Sequence, residues 1–138
     1  MRRVTLLLLA LLAGACSSGA DGDWVLETFV DDGETIDLAA PITMEVVGDR
    51  VSGSSGCNTY SGGIGTDAGD VVVENVAVTE RFCVDTDVMA LEARFLDALV
   101  TERWGVTTED DRLTMVARPD DAAPGIDLPT TLEYRSAP

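Results

Sequence analysis

Gly56-Cys57-Asn58-Thr59-Tyr60-Ser61-Gly62 is the stretch on which the fold of this 138-residue chain turns. Glycine at both ends and Asn58 in the middle supply turn chemistry, and Tyr60 alternates with Asn58 along the chain. The asparagine amide is expected to hold a turn through backbone hydrogen bonds and the tyrosine to fill the core. A functional alternative makes Asn58 and Tyr60 a small recognition patch. Glycine stays dense on both sides, at Gly53, Gly63 and Gly65. That density predicts a bulge or bend rather than an ordinary central strand.

Upstream, residues 24–30 read as a strand with Trp24 and Leu26 on one face, stopping at the turn Asp31-Asp32-Gly33. Ile42, Met44 and Val46 alternate with Thr43 and Glu45, and Gly48-Asp49 turns them back into residues 50–52 as a hairpin. Downstream, residues 71–78 are the most β-prone run. Thr86 reads as the N-cap of a helix reaching about residue 100, with Asp87 in its first turn and Val88, Leu91, Phe95 and Leu99 as its apolar stripe. Glu92, Arg94 and Asp97 fall on the other, solvated face. Residues 104–108, 112–117 and 131–135 are predicted strands, and residues 119–129 an irregular loop. Many short strands and one helix make a mostly β domain.

Extended to Thr79-x3-Cys83 and Glu92-x2-Phe95-x3-Leu99, the pattern around Cys57 resembles the META domain family, which includes the HslJ-like proteins. The resemblance covers residues 24–134. It implies a small antiparallel, incompletely closed β-barrel-like fold with the helix over an opening or edge, often carried on bacterial lipoproteins. It implies no defined reaction.

The N-terminus bears on compartment. Arg2-Arg3 precede an apolar run over residues 4–13, too short to span a bilayer as a helix, and Ala13-Gly14-Ala15-Cys16 is similar to a lipobox. The domain plan is therefore residues 1–15 as a lipoprotein signal peptide, 16–22 as a lipid-anchored flexible tether and 23–138 as the META-like domain. Cys16 becomes the acylated N-terminus, on the extracytoplasmic side of the membrane. Ala13 and Ala15 also satisfy the rule for ordinary secretion, which would release a chain beginning with a free cysteine. The Ser-Gly-Asp tether has a root-mean-square reach of roughly 15 Å. With Cys16 assigned to lipid, Cys57 and Cys83 form an even pair suited to a disulfide in an oxidising compartment; the alternative is two buried free thiols.

Charge and composition act mainly by exclusion. Without residues 1–15 the chain carries seven arginines against 25 acidic residues, a side-chain charge of −18, which opposes nucleic acid as a partner. There is no histidine and no lysine. Ser-His-Asp catalysis, histidine metal sites, Schiff bases and the phosphate-binding P-loop are thereby removed. Gly53-Ser54-Ser55-Gly56 lacks both nucleophile-elbow spacing and an activating base. Carboxylate pairs such as Asp31 with Asp32, or Asp85 with Asp87, sit in turn and cap contexts where aspartate bonds locally. Asp67-Ala68-Gly69-Asp70 and Asp120-Asp121 do not follow a calcium-loop spacing.

The expectation is a non-enzymatic envelope lipoprotein with no cofactor and no metal. It would act through its lipid anchor and through protein contacts or stress tolerance. The alternative is a carrier or sensor of an apolar, lipid-like ligand, held between the strands and the Val88, Leu91, Phe95 and Leu99 face. A carboxylate-dependent hydrolase ranks last.

Overall fold

The computed structural model describes residues 19–119 and 128–138. Its elements in chain order are β1 (Gly22–Asp31), β2 (Glu34–Thr35), β3 (Thr43–Val47), β4 (Arg50–Ser54), β5 (Thr59–Asp67), β6 (Asp70–Val78), α1 (Thr86–Thr101), β7 (Trp104–Glu109), β8 (Arg112–Ala117) and β9 (Thr131–Ser136). The strands pair antiparallel in the order β2-β1-β3-β4-β5-β6-β7-β8-β9, and β9 also pairs with β1, so the pairings run round in a ring. The expected mostly β, antiparallel architecture with one helix is what the described residues adopt.

Local chemistry explains the elements. In β1 the inward residues Trp24 and Leu26 follow strand alternation, but Phe29, fully buried, lies three residues on. The register against β9 shifts between Leu26 and Thr28, and that bulge turns Phe29 back to the core face. Val47 pairs with Arg50 across the two-residue loop Gly48-Asp49, where Gly48 takes φ +62, the glycine-first arrangement of a type II′ hairpin. The glycine-rich segment runs through β5 and bulges between Ser61 and Gly63, as its composition predicts. Gly53 is required by close approach: a Cβ there would collide with the Thr43 carbonyl oxygen.

Three points differ from the sequence reading. Asp31-Asp32-Gly33 is followed by β2, which returns against the end of β1 through Val30↔Thr35 and Asp31↔Glu34; two residues are too short for a periodicity signal. The N-cap of α1 is Asp85, whose carboxylate accepts from the Asp87 and Val88 amides, and Thr86 is the first helical residue. Glu92 and Arg94 are half-buried and bonded to other elements, so the face opposite the apolar stripe is solvated only in part.

The ring has one narrow seam. β6 and β7 meet at a single pair, Val71↔Trp104, and α1 carries the chain between them. A 16-residue helix rises roughly 24 Å, and seven strand steps from Val71 to Val78 descend about as far. The helix therefore returns the chain to the top of β6 while covering the gap. Leu91, Phe95, Ala98 and Leu99 enter the core beside Trp104, Tyr134, Phe29, Ile42 and Leu132.

Candidate functional site: a carboxylate clasp, an exposed loop and a cavity

The β4–β5 connection is a tight loop closed by the Ser55 amide donating to the Asn58 carbonyl at 2.9 Å, with Gly56 at φ +118. Four donors of this loop converge on Glu92 of α1. Its Oε2 accepts from Ser55 Oγ at 2.9 Å, the Cys57 amide at 3.0 Å and the Asn58 amide at 2.8 Å, and Oε1 accepts from Asn58 Nδ2 at 2.6 Å. Burial pushes the Glu92 carboxyl up, but these bonds favour the ionised form more strongly and hold it below its ordinary value.

Asn58 passes the connection onward. Its Oδ1 accepts from Thr79 Oγ1 at 3.0 Å and from the Arg81 amide at 2.6 Å, while Thr79 Oγ1 accepts from the Thr59 amide at 3.1 Å. The Cys57–Cys83 disulfide, Cα to Cα 6.1 Å, joins the same two segments covalently. Tyr60 is buried, donates its hydroxyl to the Thr43 carbonyl at 2.9 Å and meets Phe95 edge-on, ring centroids 5.7 Å apart. Burial pushes its phenol far above the ordinary value.

The structure thus brings together Cys57, Asn58, Tyr60, Thr79, Cys83, Glu92 and Phe95. The proposed patch of Asn58 and Tyr60 is not a surface: both are buried and their polar atoms are engaged inward. Of the helix stripe, Leu91, Phe95 and Leu99 are core and Val88 is half-buried. None of the four lines the cavity described below. Cys16 and Asp120-Asp121 lie outside the described residues.

A second tie holds α1 to the rest of the ring. Arg94 Nε meets Asp31 Oδ2 at 2.6 Å and its guanidinium also faces Glu34 at 3.6 Å, while Thr130 Oγ1 donates to Asp31 Oδ1 at 2.8 Å. Partial burial pushes the Asp31 carboxyl up, and the Arg94 and Thr130 bonds carry it below its ordinary value. Asp31 and Asp85 are therefore occupied in structural bonds.

Two features were not legible in the sequence. The loop between β6 and α1, pinned by the disulfide and by the Arg81 amide, holds Phe82 at 87% and Val84 at 89% exposure. At the end of the ring where the β3–β4, β5–β6 and β7–β8 hairpins turn, a cavity of about 370 Å³ opens among Met44, Val46, Ile64, Val71, Val106 and Met115. No lining residue is aromatic. Aliphatic rather than aromatic residues at these turn-proximal inward positions leave space that aromatic rings fill deeper in the ring. Gly19 and Ala20 border the same opening, and Trp24 Nε1 donates to the Ala20 carbonyl at 2.9 Å.

A family model described as META domain matches residues 17–123. No curated protein matches. Among solved structures, an NMR structure of a protein from Burkholderia xenovorans is similar at TM-score 0.62 and 24% identity, over 85% of this chain and 82% of that one. A second NMR structure gives TM-score 0.55 and 20% identity, over 83% of this chain and 88% of the other. Both share the fold.

Proposed function

Since this chain belongs to the META domain family and is HslJ-like, we propose that it is an exported lipoprotein, anchored at Cys16, that acts without turnover by contacting another envelope protein. One observation carries the reading: Phe82 and Val84 are almost fully exposed on a loop held by a disulfide and by a buried asparagine. An apolar pair on a preorganised loop costs little ordering entropy when bound, which is how binding anchors are built. The clasp's role is to fix that loop. The carboxylates that the fold does bury support the same view, because Glu92 and Asp31 are held below their ordinary values, whereas a general acid working near neutrality needs its pKa raised.

The test is capture of the tethered protein from intact envelopes, with proteins and lipids both identified. Phe82→Ser combined with Val84→Ser should leave stability within about 0.5 kcal/mol, as for exposed positions generally, and lose the captured protein. Hydrolysis of an envelope glycan, abolished by one Asp or Glu substitution that leaves the fold intact, overturns the reading. A second reading, uptake of an apolar ligand, is favoured by the cavity, whose size lies within the roughly 300–1,000 Å³ of small-molecule sites.

A further inference from the structure

We propose that the cavity at the hairpin end of the ring houses one acyl chain of the protein's own anchor on Cys16. The inference rests on the lipid-anchoring reading given above. Three observations carry it. The cavity wall is aliphatic, with Met44, Val46 and Met115 buried and Ile64, Val71 and Val106 half-exposed toward its opening, a surface suited to hydrocarbon and offering few partners to a polar ligand. The chain enters the fold at that opening, since Gly19 and Ala20 border it. The path beyond the opening is fastened, because the Ala20 carbonyl accepts from Trp24 Nε1 and Asp21 Oδ1 accepts from the Gly48 amide at 2.8 Å.

Reach decides the occupant. Only Ser17 and Ser18 lie between Cys16 and Gly19, so the three residue steps span at most about 11 Å even when extended. An acyl chain on Cys16 is thus delivered at the cavity mouth, at the high effective concentration of a short tether, roughly millimolar or above. Free lipid must reach the same mouth past the segment that borders it. Inserting one chain would leave any others on Cys16 in the bilayer and set the hairpin end against the membrane. The Phe82 loop lies at the end of β6 away from that turn and would remain available to a partner.

The test uses acylated protein whose anchor chains carry a photoreactive diazirine, introduced by feeding cells the diazirine fatty acid. The protein is purified and reconstituted into unlabelled phosphatidylcholine vesicles. Illumination should crosslink the anchor to the segments containing Ile64, Val71 and Val106 of the same molecule, and Val71→Trp, or Val106→Trp should the first variant not fold, should remove at least nine-tenths of that product. Crosslinks confined to vesicle lipid or to residues 17–22 overturn the proposal. Mass spectrometry of the N-terminal peptide separates the two readings: a mature chain without acylation at Cys16 sinks anchoring itself. Cavity chemistry is read independently with N-phenyl-1-naphthylamine, an uncharged apolar probe, on the chain from residue 16 onward carrying Cys16→Ser, which contains every described residue. Its fluorescence should rise several-fold and fall back with Val71→Trp; no rise means that the cavity does not accept apolar molecules and overturns the proposal as well.

Discussion

Glu92 shows how one side chain converts a loop into a fixed object. Its carboxylate is the shared acceptor of a hydroxyl, an amide side chain and two backbone amides, so neutralising it leaves donors facing donors. In Glu92→Gln the new NH2 group must oppose either the Asn58 side-chain amide or the backbone donors. Asn58 cannot flip to relieve this, because its Oδ1 already accepts from Thr79 and Arg81. The expected loss is about 2 kcal/mol in urea unfolding, in the range for hydrogen bonds to charged groups. The pH dependence follows from the direction of the shift. A carboxyl held below its ordinary value near 4.5 binds protons less readily folded than unfolded, so its stabilisation is complete above that value and drains away as pH falls through the folded pKa. Asp31 adds to the same acid limb. Unfolding midpoints should therefore hold level from pH 7 down to about 5 and decline below it, and Glu92→Gln should flatten the decline. An unchanged acid limb in that variant would show that the clasp does not titrate.

At the scale of the element, α1 is defined by its start. Asp85→Ala removes the acceptor for two first-turn amides and is expected to cost about 1 kcal/mol, whereas Thr86→Ala, inside the helix, should change stability by only a few tenths. Thermal denaturation of the two variants distinguishes the assignments, and a larger loss for Thr86→Ala would refute the cap. Both residues are good caps, so sequence alone could not choose between neighbours. The β3–β4 hairpin was readable because its signals are local: alternation over Ile42, Met44 and Val46 and the turn residues Gly48-Asp49. The META-like pattern likewise named Cys57, Asn58, Thr79 and Glu92 together. Periodicity nevertheless put Glu92 on a solvated face, since a partner 34 or more residues away leaves no trace in helical spacing. The cavity was illegible for a related reason. It depends on how three hairpin ends are set around a ring, which no window of the sequence contains.

For the whole molecule, the disulfide and the clasp brace the same corner, the one through the Cys57 sulfur and the other through its backbone amide. Replacing Cys57 and Cys83 together by alanine should lower stability by roughly 3 kcal/mol, by freeing the unfolded chain between them. Combined with Glu92→Gln the loss should be non-additive by at least about 0.5 kcal/mol, as for residues sharing a partner. Strict additivity in a double-mutant cycle by urea titration would mean that the two braces act on separate parts of the fold. The pairing of β9 with β1 has a different kind of consequence, one of timing. β1 begins at Gly22 and its partner ends at Ser136, so nearly the entire chain must be present before either strand is complete on both edges. A chain delivered from its N-terminus passes through an interval in which β1 and β8 each expose a row of unpaired amides and carbonyls, the template for pairing with a neighbouring copy. The last strand to arrive is therefore the one that ends the danger, and a chain stopped before Thr131 is left as a sticky intermediate, however well the rest of it has folded.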